Sequence, residues 1–162
     1  MNRGMLGMKK WMWFVVCLAL IGVDQATKLW SIHHLHAYQS VAVFPGLDWT
    51  LVFNTGSAFG LFSHSGDWSQ YVLTAFGIVM SIGLIVWIIK TSLSAQWELL
   101  ALTLILSGAL GNVIDRLRLG YVIDFIDVYY QTHHWPVFNV ADSAICVGAL
   151  LLFFSTSHKN TH

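Results

Sequence analysis

The stretch Tyr71–Ile89, "YVLTAFGIVMSIGLIVWII", contains nineteen consecutive residues without a charge. A helix that crosses a bilayer needs about 20 predominantly apolar residues, and about 17 suffice. Inside lipid no water is present to bond an exposed peptide group, so a separate segment of this kind satisfies its backbone only as a helix. Working outward, three more apolar runs occupy 11–30, 97–115 and 137–155. The first is interrupted near its end by Asp24 and Lys28, the third ends on Asp115-Arg116, and the fourth opens with Asn139 and Asp142. The pattern predicts an all-α membrane protein with four transmembrane helices in one domain, 1–162, and outer loops over 31–70 and 116–136.

Composition agrees. The chain is 56% hydrophobic and 10% charged, where a soluble domain carries about 25% charged residues. Eight Lys and Arg balance eight Asp and Glu, so no excess of positive charge argues for a nucleic-acid partner. Cys17 and Cys146 both sit in apolar runs and are read as small buried hydrophobes, not as a disulfide or a zinc site. Arg3, Lys9 and Lys10 precede the first run as in a signal peptide. Asp24-Gln25 stands where a cleavage site of small residues would be, so the first span is expected to be retained. Lys90 and Lys159 lie in the loop and tail on the same side as the N-terminal cluster, and no Lys or Arg separates the first two spans. Both termini are therefore expected in the cytoplasm. Arg116 and Arg118 run against that count, and Arg116 is expected to be held by a carboxylate, with Asp115 beside it.

The first outer loop contains "SVAVFPGLDWTLVFN". Val41, Val43 and Phe44, then Trp49, Leu51 and Phe53, flank Pro45-Gly46 and predict two short strands joined by a turn. Farther along lies "YVIDFIDVYYQTHHWPVFNVADSAI", Tyr121–Ile145. Asp124 is read as part of the loop after the third span and Asp127 as a solvated surface carboxylate. The histidines His33, His34, His36, His133 and His134 are read as surface groups titrating in water.

The polar residues of the spans converge on one level. Asp24 and Lys28 are four apart, Asn112 is three and four before Asp115 and Arg116, and Asn139 is three before Asp142. Such spacings place each set on one helix face. A carboxylate at the centre of a membrane costs about 2.5–3.5 kcal/mol on insertion scales, so a whole layer of them points to a function. No His-Glu-x-x-His or comparable ligand set is present, and neither a metal nor another cofactor is expected. What remains is a pair of carboxyl groups sharing a proton, an arrangement that activates water toward a peptide bond. A small channel or transporter subunit, or a membrane scaffold whose polar layer is structural, would also account for the layer taken alone.

The motifs narrow this. "DQATK" at Asp24–Lys28, "FNTGSAFG" at Phe53–Gly60, "GALGNVIDR" at Gly108–Arg116, "VIDFID" at Val122–Asp127 and "FNVAD" at Phe138–Asp142 resemble, in this order and along nearly the whole chain, the bacterial lipoprotein signal peptidases (signal peptidase II). The resemblance implies a membrane aspartic endopeptidase of the bacterial inner membrane, working near its periplasmic face. It would remove the signal peptide of a diacylglyceryl-modified prolipoprotein by cutting just before the lipidated cysteine. It implies Asp124 and Asp142 as the catalytic pair, with Asp24, Lys28, Asn54, Gly56, Asn112, Asp115, Arg116 and Asn139 supporting the site or touching substrate. It also implies a small extramembrane β-sheet and a short periplasmic helix over the site. The protein is expected to act as a monomer, with prolipoprotein and membrane lipid as its partners.

Overall fold

The computed structural model describes residues 9–56 and 68–157. Four helices, α1 (Lys10–His34), α2 (Trp68–Lys90), α3 (Gln96–Leu119) and α4 (Val140–Ser157), are joined by an antiparallel sheet of β1 (Ser40–Phe44), β2 (Leu47–Asn54), β3 (Val122–Tyr130) and β4 (His133–His134), in the order β1-β2-β3-β4. Helices α1, α2 and α3 have 25, 23 and 24 residues and are long and apolar enough to cross a membrane. At about 1.5 Å per residue each exceeds the roughly 30 Å of hydrocarbon. The apolar part of α4 is shorter, Val140–Ser155.

The four helices differ in what they face. α3 is the central one, packed against α1, α2 and α4. Its Leu99, Leu102 and Leu106 recur at helical spacing and meet Trp13 and Cys17 of α1 and Leu84 and Ile88 of α2. The most hydrophobic helix, α2, instead leaves Val72, Phe76, Val79, Ile82 and Ile89 exposed. An apolar surface of this extent is out of place in water and is what a lipid-facing helix presents. α3 and α4 approach closely because their contacts are glycines. A Cβ on Gly108 would lie 2.2 Å from the Ala141 carbonyl oxygen, and one on Gly148 would lie 2.7 Å from that of Ala101. Small residues at such crossings let backbones touch, which drives helix association where lipid removes the hydrophobic difference.

The two ends of the bundle are closed differently. At one end the Lys10 ammonium donates to the carbonyls of Ile88 (2.7 Å), Ile89 (2.6 Å) and Thr91, satisfying the unpaired C-terminus of α2. At the other, α3 stops at Gly120, whose left-handed φ of 79° and N–H to the Arg116 carbonyl make a C-cap. The chain leaves that cap directly into β3. Leu35, Leu51, Ile123 and Phe125 form a second apolar core under the sheet, with Trp49, Phe53 and Val140 packed on it.

The hairpin expected around Pro45-Gly46 is present as β1 and β2, with Gly46 at φ 97° in the turn. β3 was not expected, because 116–136 reads as a loop. It pairs along β2, with Val52 opposite Asp124 and Asp48 opposite Asp127. α1 runs four residues past 30 and α3 four past 115. Among the described residues of the two loops there is no short separate helix. Residues 57–67, which include Phe59 and Gly60 of the second motif, lie outside the described residues.

The α3–α4 contact makes a testable distinction. Gly108→Ala is expected to lower the melting temperature, since overpacking costs about 1–3 kcal/mol. Gly83→Ala on α2, where a Cβ meets nothing within 4 Å, is expected to melt at or above the parent. Equal melting of the two variants in one detergent would contradict the close approach.

Candidate active site

The motif residues meet where the C-terminal half of α1, the last turns of α3, the first turn of α4 and β3 come together. A cavity of about 820 Å³ opens there. Asn54, Gly56, Asn112, Arg116, Asp124 and Asp142 give it one polar region, and Val52, Phe53, Val122, Trp135, Phe138 and Ile145 line much of the rest.

Asp142 comes from a helix start. Asn139 stands immediately before α4, and its Oδ1 accepts from the Asp142 N–H at 2.9 Å while its own N–H donates to Asp142 Oδ2 at 3.3 Å. This reciprocal pair is a capping box, which explains why Asn and Asp are three residues apart. The Asn139 side chain then reaches the other carboxylate, its Nδ2 donating to Asp124 Oδ1 at 2.7 Å. One fully buried asparagine therefore bridges the two aspartates. Asn54 donates from Nδ2 to Asp124 Oδ2 at 2.8 Å, and its Oδ1 is turned away to accept from the Gly56 N–H at 2.9 Å. Asn112 donates from Nδ2 to Asp142 Oδ1 at 2.8 Å. Each carboxylate thus has a hydrogen-bond donor on both oxygens, and neither forms an ion pair among the described residues.

Asp124, on a strand and only 1% exposed, has its carboxyl pushed up to about 7. Burial is the larger cause and the neighbouring Asp142 charge adds to it, while the Asn54 and Asn139 amides oppose it.

Behind this pair is a second polar group. The Lys28 ammonium sits 2.9 Å from Asp24 and 2.8 Å from Asp115, with all three side chains 1–2% exposed. It also donates to Asn112 Oδ1 at 3.1 Å. Gln25 donates to Asp115 Oδ1 at 2.8 Å. Of the predicted residues, Asp24, Lys28, Asn112, Asp115 and Asn139 are therefore in one connected network with Asp124 and Asp142, and Asn54 and Gly56 close it on the sheet side.

Three expectations are corrected. Arg116 does not pair with Asp115, whose cationic partner is Lys28. Successive helical residues point about 100° apart, so Arg116 turns to the cavity, where its Nη2 makes a long 3.4 Å contact to the Gly56 carbonyl. Its Nε is buried without a hydrogen-bond partner among the described residues. Asp127 is not a solvated surface carboxylate. It is 4% exposed, accepting from the Thr50 hydroxyl at 3.0 Å and lying 2.9 Å from His134 Nδ1, so His134 is not simply a free surface group. Cys17 is buried as expected, but Cys146 is exposed and lines the cavity one turn beyond Asp142. The contacts of Gln25, Thr50 and His134 escaped the sequence reading, since their partners lie 90, 77 and 7 residues away with no spacing rule to connect them. Among the described residues no three metal-ligating side chains converge.

The sequence model of the signal peptidase (SPase) II family matches residues 16–158. The chain belongs to that family. Named relatives agree. The lipoprotein signal peptidase of Acinetobacter baylyi is 45% identical over 144 residues, covering 89% of this chain and 80% of that one. That of Shewanella pealeana is 43% identical over 148 residues, covering 91% and 85%. A bacterial membrane enzyme solved by the in meso method at 2.3 Å superposes with a TM-score of 0.83 at 28% identity, covering 93% of this chain and 90% of its own. The site described above thus belongs to a signal peptidase II fold, assembled from the motifs that carried the resemblance.

The raised Asp124 carboxyl has a consequence for stability. Its folded value near 7 lies above the ordinary 3.8. Its contribution is therefore fully present below about pH 4 and is lost as pH rises through about 7, a change of about 4 kcal/mol. Between pH 5 and pH 8 the parent is expected to lose more thermal stability than Asp124→Asn, which lacks this carboxyl. Parallel melting curves for the two across that range would contradict the burial of this carboxylate.

Proposed function

We propose that this chain is a membrane aspartic endopeptidase that removes the signal peptide from diacylglyceryl-modified prolipoproteins, cutting just before the lipidated cysteine. The observation that carries the reading is the pair Asp124 and Asp142, bridged by Asn139 at the polar wall of a largely apolar cavity. The family membership and the names of the relatives support the substrate class.

In this reading the pair shares one proton and titrates as a unit, and the proton starts on Asp124, whose carboxyl burial raises. Ionised Asp142 takes a proton from a water as its oxygen attacks the scissile carbonyl carbon, and Asp124 gives its proton to the carbonyl oxygen. The tetrahedral gem-diol then breaks its C–N bond. Asp142 returns its proton to the leaving nitrogen and Asp124 recovers one from a hydroxyl. The products are a carboxyl on the signal peptide and an amine on the cysteine. The amides of Asn54, Asn112 and Asn139 hold both carboxylates in place without neutralising them with a cation, which the proton exchange requires.

The same reading makes all four helices spans of one peptidase domain, with α4 crossing at its shorter length. The positive N-terminal residues and Lys90 put that end in the cytoplasm, and the cavity at the opposite end faces the periplasmic side of the inner membrane. Water reaches the pair from outside while the lipid chains of the substrate remain in the bilayer. The pair and the amides that hold it all come from one chain, which supports a monomer as the active state. A pore would need its polar groups distributed through the bundle, whereas these lie at one end.

The test is cleavage of a purified diacylglyceryl-modified precursor. Asp124→Asn and Asp142→Asn are each expected to fall below about 1% of parental turnover, since loss of a general acid or base costs about 100-fold or more, while both proteins still accumulate in the membrane. Substantial turnover by either one would sink the pair assignment. A matched unlipidated precursor is expected to show kcat/KM at least about 100-fold lower, because binding energy remote from the scissile bond holds that bond at the pair. Equal values for the two precursors would remove lipid anchoring from the mechanism.

A further inference from the structure

We propose that Lys28 is a positioning residue that sets the separation of Asp124 and Asp142, although it touches neither. The inference rests on the two-aspartate reading above and concerns what holds the pair in register. Lys28 is 1% exposed, and its ammonium ties together two carboxylates from different helices, Asp24 on α1 and Asp115 on α3. Each of these carboxylates uses its other oxygen or lone pair on a backbone N–H. Asp24 Oδ1 accepts from the N–H of Ala141 at 2.9 Å, and Asp115 Oδ2 accepts from the N–H of Ile123 at 3.3 Å. Ala141 is the residue immediately before Asp142, and Ile123 is the residue immediately before Asp124.

The two halves of the pair come from a helix and a strand that are far apart in the chain, and each is gripped one residue upstream by a carboxylate of the same lysine. A third tie runs through a side chain. The Asn112 amide could be turned either way, but its Oδ1 accepts from Lys28 and from Asn139 Nδ2 at 3.2 Å, so its Nδ2 must face Asp142. With Lys28 in place, Asn112 is a donor to Asp142 and not a second acceptor against it. Packing alone does not explain three links from one cation that each end at or beside a member of the pair. An aligned acid and base lose rate steeply when displaced, with about 1 Å costing up to about 100-fold.

Removing Lys28 alone would leave Asp24 and Asp115 buried without a cation, so Lys28→Met is expected to fold poorly. The deciding protein is the neutral triple variant Asp24→Asn, Lys28→Met, Asp115→Asn. Its two amide oxygens can still accept from Ala141 and Ile123, and no unpaired charge is created. Their amide nitrogens then face Gln25, which turns its oxygen toward them, so the ammonium tie and the Gln25 donation to the Gly111 carbonyl are what is lost. Full-length parent, the triple variant and Asp124→Asn are compared in one nanodisc preparation, by melting temperature and by kcat and KM on a diacylglyceryl-modified precursor. The expected result is a triple variant that melts within about 5 °C of the parent, with KM within about threefold and kcat reduced about 10–100-fold. A folded triple variant with parental kcat overturns the proposal. So does one that fails to fold, because the cluster is then a device for packing helices. Parental turnover by Asp124→Asn in the same assay is a different outcome. It removes the two-aspartate reading, and this proposal with it.

Discussion

The geometry of the site depends on one charge that lipid would reject if it stood alone. Taking an ion out of water costs several kcal/mol even after a protein has relaxed around it, and the cost is recovered only when partners and hydrogen bonds are complete. Lys28 meets that condition with Asp24, Asp115 and Asn112. The glutamine next to Asp24 donates to Asp115, and two backbone N–H groups supply further donors to the carboxylates. Because these partners come from α1, α3, α4 and β3, completing the cluster is possible only when all four elements are docked. Gly111 shows how tight this is, since a Cβ there would lie 2.6 Å from Asp24 Oδ2.

Placing the cation behind the cavity has a chemical effect in front of it. If Lys28 stood against Asp124 or Asp142 directly, it would favour the ionised carboxylate and oppose the proposed proton exchange within the pair. Here its positive charge is matched at short range by two other carboxylates, and the pair receives mainly amide donors. Amides fix position and oppose the burial effect on Asp124 without abolishing it. Two jobs, fixing where the pair stands and preparing the proposed acid, are thus given to separate groups of aspartates with different partners.

What could be read in the sequence follows from the range of each interaction. The helices were legible because a charge-free run as long as Tyr71–Ile89 has few other solutions. The hairpin was legible because Pro45-Gly46 lies between β-rich runs, and the Asp24–Lys28 pair because four residues bring side chains together on a helix. The capping box at Asn139 and Asp142 is likewise local. β3 was not legible, because "VIDFID" has two aspartates in six residues and reads as polar until the Thr50 hydroxyl and the Asn54 and Asn139 amides are brought to them. The assignment of Arg116 to Asp115 failed for a related reason. Sequence adjacency suggested a pair that helix geometry forbids, while the true partner of Asp115 is 87 positions away on α1.

The strand that carries Asp124 raises a further constraint. Side chains alternate along a strand, so a slip of one residue against β2 would turn Asp124 away from Asp142 and present Ile123 or Phe125 instead. The pairing itself is irregular between Trp49 and Val52, so the ladder alone is a weak guard against such a slip. Two side-chain contacts supply the guard, one on each flank of Asp124. Upstream, Asp115 accepts from the Ile123 N–H. Downstream, Asp127 is held by Thr50 of β2 and by His134 of β4. A buried carboxylate with fixed partners on both neighbouring strands cannot shift by one position without losing both. That gives Asp127 a structural reason to be acidic and buried three residues from a second buried acid. It also accounts for two aspartates in "VIDFID" where the proposed chemistry uses only the first.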